Sequence, residues 1–147
     1  MIRITKEFSF EMSHILEGYD GLCSQIHGHS YRLLVTVEGE PLAAPGDPKE
    51  GMVMDFGELK RIVGRQVVER YDHSLVIRRT PATAALVDAL CSHLERVIEV
   101  DYRPTCENMA AAMAAAIAAA LPPRVRLHSL RLYETASSYA EWRDRDE

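Results

Sequence analysis

His27, Gly28 and His29 place two imidazoles at i and i+2, which on an extended chain point to the same side and within reach of one ion. A third imidazole comes from His14. Ile4, Phe8, Phe10, Met12 and His14 share one parity in the stretch Ile2–His14, so a strand there puts them on one face with His14 at its end. Three histidines without a fourth protein ligand leave a zinc ion an open position for substrate, which is the arrangement of a catalytic site. The plain alternative is three unrelated polar residues at strand ends. Cys23 lies four residues before His27, where a divalent cation favours the thiolate; by type and place it can be a fourth ligand, a base or inert.

Asp72 followed by His73 offers a carboxylate to orient an imidazole for acid–base work, or a simple cap at a helix end. Glu134 falls at the end of a strand. A carboxylate there can accept two hydrogen bonds from an amidine-like edge such as that of guanine or pterin, or can merely be solvated. Thr105 and Glu107 belong most simply to a helix cap and first turn. His93, His128 and Cys91 show no partner at a chemical spacing.

The elements that must position these groups are legible in outline. A second strand spans residues 29–39, with Tyr31, Leu33, Val35 and Val37 on one face. Residues 40–51 hold three prolines and two glycines and read as a loop. Asp55 caps a helix, with Glu58 at capping-box spacing and Phe56, Leu59, Ile62, Val63 and Val67 at helical intervals, ending near Tyr71. Thr80 and Pro81 open a second helix with Leu86, Val87, Leu90, Cys91 and Leu94 as its buried stripe. Val97–Val100 is a brief edge strand. Thr105 caps a third helix whose Met109, Ala112, Met113, Ala116, Ile117 and Ala120 face inward, and Pro122 and Pro123 stop it. Residues 124–134 and 138–143 read as closing strands. The expectation is one α+β domain over residues 1–147: a mainly antiparallel four-stranded sheet, helices packed on one face, and open edges that invite lateral assembly.

Composition narrows the function classes. A chain of 147 residues, 47% of them hydrophobic, fills one core and is short for two. The net charge of -5 argues against nucleic acid or an anionic membrane as partner, since both need a basic footprint. No apolar stretch reaches the roughly 18 residues of a membrane span, and the alanine-rich run at 109–121 is too short. The alternating N-terminus lacks the apolar block of a signal peptide. Three cysteines without a Cys-x-x-Cys pair suit a reducing compartment, so a cytoplasmic protein is expected.

Six segments in order carry a family resemblance: Phe8-Ser9-Phe10 leading to His14; Cys23 to Tyr31 with its Cys-x-x-x-His-Gly-His core; Gly51 to Phe56; Asp72-His73; Pro104 to Asn108; and Glu134-Thr135. Together they resemble the 6-pyruvoyl-tetrahydropterin and 6-carboxy-tetrahydropterin synthase family, from Phe8 to about Tyr139. The Cys23 to His29 segment looks like the bacterial carboxy-forming branch, which makes a precursor of queuosine and other deazapurines. The resemblance implies a T-fold (tunnelling-fold) subunit, here with an inserted helix, assembling as a hexamer of two trimers with inter-subunit active sites. It implies Zn2+ on His14, His27 and His29, Cys23 as base, and His73, oriented by Asp72, as proton partner from a neighbouring subunit. Glu134 would anchor the pterin ring, with Thr105 and Glu107 beside it. The implied reaction converts 7,8-dihydroneopterin triphosphate to 6-carboxy-5,6,7,8-tetrahydropterin, acetaldehyde and triphosphate. The rivals are triphosphate elimination without side-chain cleavage, and a non-catalytic zinc or pterin-binding module. Two features depart from the family pattern: Ile77 stands where asparagine is usual, and the longer stretch between Ile77 and Arg103 inserts the second helix.

Overall fold

The alternation of the first stretch forms one long strand, β1 (Ile2–His14). It pairs antiparallel along its whole length with β2 (His27–Gly39), from Ile2 opposite Gly39 to His14 opposite His27. The computed structural model describes residues 1–145. A helix follows the loop as α1 (Phe56–Val63), a π-helical stretch (Gly64–Val68) and α2 (Glu69–Tyr71). Then come β3 (Ser74–Arg78), α3 (Ala84–His93), β4 (Val97–Val100), α4 (Cys106–Ala120), β5 (Arg126–Tyr133) and β6 (Tyr139–Arg143). Local chemistry sets the helix starts: the Asp55 carboxylate accepts from Gly57 N at 2.6 Å, and Thr105 Oγ1 accepts from Asn108 N at 3.2 Å.

The sheet corrects the four-stranded antiparallel expectation. It has six strands in the order β4-β3-β1-β2-β5-β6, and it is mixed, because β3 runs parallel to the end of β1 and β4 runs parallel to β3. Val97–Val100 is the edge strand the sequence marked, but β3 escaped the sequence pattern for a physical reason. Ser74, Leu75, Val76 and Ile77 are covered on both faces, so no period-2 alternation marks them.

The main core lies between one sheet face and three helical segments. Tyr31, Leu33, Val35, Leu130 and Leu132 meet Leu59, Val63 and Val67 of the first helical stretch and Met109, Met113 and Ile117 of α4. The inward stripe of α4 is turned from the one expected. Ala110 and Ala114 are fully buried, while Ala112, Ala116 and Ala120 are only partly covered. An alanine-rich helix offers few polar residues to mark its outer side, so packing decides its rotation.

The inserted helix α3 also differs from expectation. It starts after Thr83, not Thr80; Thr83 Oγ1 donates to Arg78 O and accepts from Thr80 N, each at 2.7 Å. Its stripe is narrow: Val87 is buried, whereas Leu86 and Leu94 are 38% and 49% exposed and Cys91 is exposed. Val87 packs on Ile15 and Ile77 in a second small cluster. His14 and Val76 pair on the main-core side, so their successors Ile15 and Ile77 point the other way. Thus α3 covers the opposite face of the sheet, and the helices are not confined to one side. Ile77 is a fully buried residue beneath the insertion. Among the described residues, no helix is long and apolar enough to cross a membrane.

Candidate metal centre

The antiparallel register of β1 and β2 sets His14 directly opposite His27 and Met12 opposite His29, and cross-strand partners share a face. All three imidazoles therefore stand on the main-core face at one end of the sheet. One ring nitrogen from each lies within 4.8 Å of the others. The ring centroids of His14 are 4.6 Å from His27 and 5.4 Å from His29.

Hydrogen bonds fix which nitrogens face inward. His14 Nδ1 lies 2.8 Å from Pro104 O, and His27 Nδ1 lies 2.8 Å from Gln25 O. A carbonyl only accepts, so each Nδ1 carries a proton, and in the neutral ring each Nε2 presents a lone pair. These two Nε2 atoms are 3.0 Å apart, a repulsive contact unless a proton or cation lies between them. Zinc nitrogens bound at about 2.1 Å in tetrahedral geometry stand about 3.4 Å apart, close to that separation. His29 Nε2 is buried with no hydrogen-bond partner and sits 3.3 Å from Glu134 Oε1, in ion-pair range without hydrogen-bond geometry. Burial lowers the pKa of His14 against the opposing pull of the Pro104 carbonyl, and burial lowers that of His29 against Glu134. Carbonyl-anchored Nδ1–H groups, as on His14 and His27, orient imidazoles in the way zinc ligands are oriented. The residues fit the metal.

The approach to this centre is built from the turn before β2 and the ends of α4 and β5. Cys23 lies in a short 3-10 turn (Leu22–Ser24), where its carbonyl accepts from Leu16 N at 3.0 Å, and two residues further Gln25 O anchors His27. Thr105, Glu107 and Glu134 line one cavity of about 500 Å3, with Leu16, Tyr139 and Trp142 among its other walls. That volume is in the range of small-ligand pockets. Cys106, also in its wall, donates to Leu132 O at 3.2 Å, and burial pushes its thiol up to about 11. Sequence reasoning missed Tyr31 here. Its hydroxyl is buried without a partner among the described residues, and its ring stands 5.6 Å from that of His29. Tyr31 shares strand parity with His29, which was the available signal.

Asp72 and His73 stand elsewhere in the chain. His73 lines a groove of about 770 Å3 with Glu11, Ser13, Ser30 and His93, and His29 of the histidine cluster reaches the same groove. Asp72 Oδ1 accepts from Glu11 N at 2.9 Å, His73 N donates to Glu11 O at 2.6 Å, and Asp72 Oδ2 is 3.1 Å from His73 Nδ1. The Glu11 amide foremost, then His73, lowers the Asp72 pKa. His73 adopts φ +59°, the single positive-φ residue other than glycine among those described. A non-glycine residue in the left-handed region carries strain on the order of 1–3 kcal/mol that its surroundings must offset.

The family model described as 6-pyruvoyl tetrahydropterin synthase matches residues 3–145. A Haemophilus influenzae protein named 6-carboxy-5,6,7,8-tetrahydropterin synthase is 32% identical over 98% of this chain and 100% of its own length. A Synechocystis protein of the same name is 37% identical over 95% and 91%. Among solved structures, an uncharacterized protein from Wolinella succinogenes superposes with a TM-score of 0.81 at 21% identity, covering 98% of both chains. Caenorhabditis elegans 6-pyruvoyl tetrahydropterin synthase does so at 0.68 and 22%, over 98% of this chain and 96% of that one. With the match running through both histidine strands and the Glu134 end of β5, the chain belongs to the 6-pyruvoyl tetrahydropterin synthase family.

Proposed function

We propose that this chain is a zinc-dependent lyase that converts 7,8-dihydroneopterin triphosphate, with one water, to 6-carboxy-5,6,7,8-tetrahydropterin, acetaldehyde and triphosphate. The carrying observation is the facing pair of lone-pair nitrogens on His14 and His27, with the unpartnered His29 Nε2 beside them. The names of the Haemophilus and Synechocystis relatives support the carboxy-forming reaction over the pyruvoyl-forming one.

Bound by these three imidazoles, zinc supplies Lewis-acid polarisation of substrate side-chain oxygens and so acidifies the neighbouring C–H bonds. The chain's own groups do the rest. Glu134 accepts two hydrogen bonds from the amidine edge of the pterin, and Thr105 and Glu107 close the same cavity. Cys23 takes a proton at Sγ. His73, held by Asp72, exchanges protons with the site of a neighbouring copy. That arrangement requires an oligomer, which we propose is a hexamer of two trimers acting in the cytoplasm.

The test is product identification. Purified protein incubated with dihydroneopterin triphosphate should release acetaldehyde and triphosphate in equal amounts; triphosphate alone would favour the pyruvoyl-forming reaction. Cys23→Ala should lower turnover by roughly 10²–10⁴-fold, the usual worth of acid–base catalysis, while keeping its zinc. A parent chain with zinc but no turnover would point to a binding module.

A further inference from the structure

The inserted segment delivers one side chain to the Asp72–His73 turn. We infer that Arg96, at the head of β4, is a positioning residue for His73, and that carrying it is a function of the insertion. The inference rests on the catalytic reading of His73 proposed above.

The geometry is a bracket across the turn. Arg96 Nε donates to Asp72 O at 3.0 Å, and one terminal nitrogen donates to Glu69 O at 2.8 Å and Arg70 O at 3.0 Å. On the other side of the turn, Leu75 N donates to Arg96 O at 2.9 Å. One residue thus holds the carbonyls before His73 and the amide after it. The last carbonyls of a helix lack intrahelical partners, and a cation there is favourable. A planar guanidinium is the side chain able to reach several of them at once.

What needs holding is the backbone at His73, whose φ of +59° the chain would leave if free. Glu11 clasps the turn from β1 through both its amide and its carbonyl. Arg96 clasps it from β4. The second clasp depends wholly on the insertion: α3 packs through Val87 on Ile15 and Ile77, which lets β4 lie parallel to β3 and brings Arg96 to the turn. Arg96 is exposed and lines the His73 groove, so its replacement removes the clasp without opening the core.

The experiment uses the full chain and dihydroneopterin triphosphate as substrate. Arg96→Ala should lower kcat at least tenfold with KM within threefold of the parent. Arg96→Lys, which keeps the charge but not the fork, should recover part of the loss. Zinc content should stay at the parent value and the melting temperature should fall by no more than about 4 °C, the worth of an exposed cation at a helix end. In a His73→Ala background, Arg96→Ala should cost nothing more, because the group it positions is gone. Parent-like kcat in Arg96→Ala, when His73→Ala has lost turnover, overturns the inference alone. Losses that multiply in the double variant overturn it too, since they would mark a general structural role. Parent-like kcat in His73→Ala overturns the catalytic reading of His73 and the inference with it.

Discussion

His27→Ala removes one of the three imidazoles at the least cost to the fold. His14 is fully buried and its Nδ1 satisfies the Pro104 carbonyl, so its loss would leave a cavity and an orphaned acceptor; His27 is half-buried, and the Gln25 carbonyl it releases is near solvent. Structural zinc bound by four ligands is worth about 10–16 kcal/mol, so one ligand accounts for about 2.5–4 kcal/mol, or roughly 10²–10³ in affinity. Competition against a chelator of known affinity reads this directly. Thermal unfolding reads it again: zinc at a thousand times its dissociation constant stabilises the parent by about 4 kcal/mol, roughly 8–16 °C for a chain this size. At the same free zinc, His27→Ala should lose most of that increment while its metal-free melting stays near that of the metal-free parent. Zinc affinity within threefold of the parent would refute the ligand set.

Three further outcomes are expected. Glu134→Gln keeps the shape but replaces one acceptor oxygen with an NH2 donor and removes the charge, so KM for the pterin substrate should rise roughly 10–100-fold, the worth of a charged hydrogen bond; a change under twofold would remove Glu134 from ring recognition. Ile77→Ala should destabilise by about 2–5 kcal/mol in thermal unfolding, because the site under α3 is closed; a loss under about 1 kcal/mol would contradict the packing seen for the insertion. Glu38, 3% exposed beneath Arg126 and Arg3 that are themselves more than half exposed, has its pKa lowered by the hydrogen bonds from Arg126 and then Arg3. A carboxylate lowered on folding contributes stability above its unfolded pKa of about 4.3 and loses it as pH falls through the folded value. Parent stability should therefore exceed that of Glu38→Gln at neutral pH, and the gap should close below about pH 4; a gap that widens in acid would reverse the sign of this reasoning.

Sequence alone determined much of the local order. The parity that runs through Phe10, Met12 and His14 fixes a strand face, and His27 and His29 share a face by the same rule; β1 spans the residues the alternation marked. Asp55 and Thr105 announce their helices because an N-cap is an interaction between near neighbours. Partners distant in sequence were decided by the tertiary structure. Which nitrogen of His14 faces His27 depends on a carbonyl ninety residues away. The rotation of α4, the strand β3 with its parallel pairing to β1 and β4, and the placing of α3 on the other sheet face follow from packing, since fully buried or alanine-rich segments carry no polar pattern to read. The same holds for Arg96. Its type and position showed only a charged residue before a short strand, and the three carbonyls it binds come together because a parallel crossover returns the chain beside the turn it left.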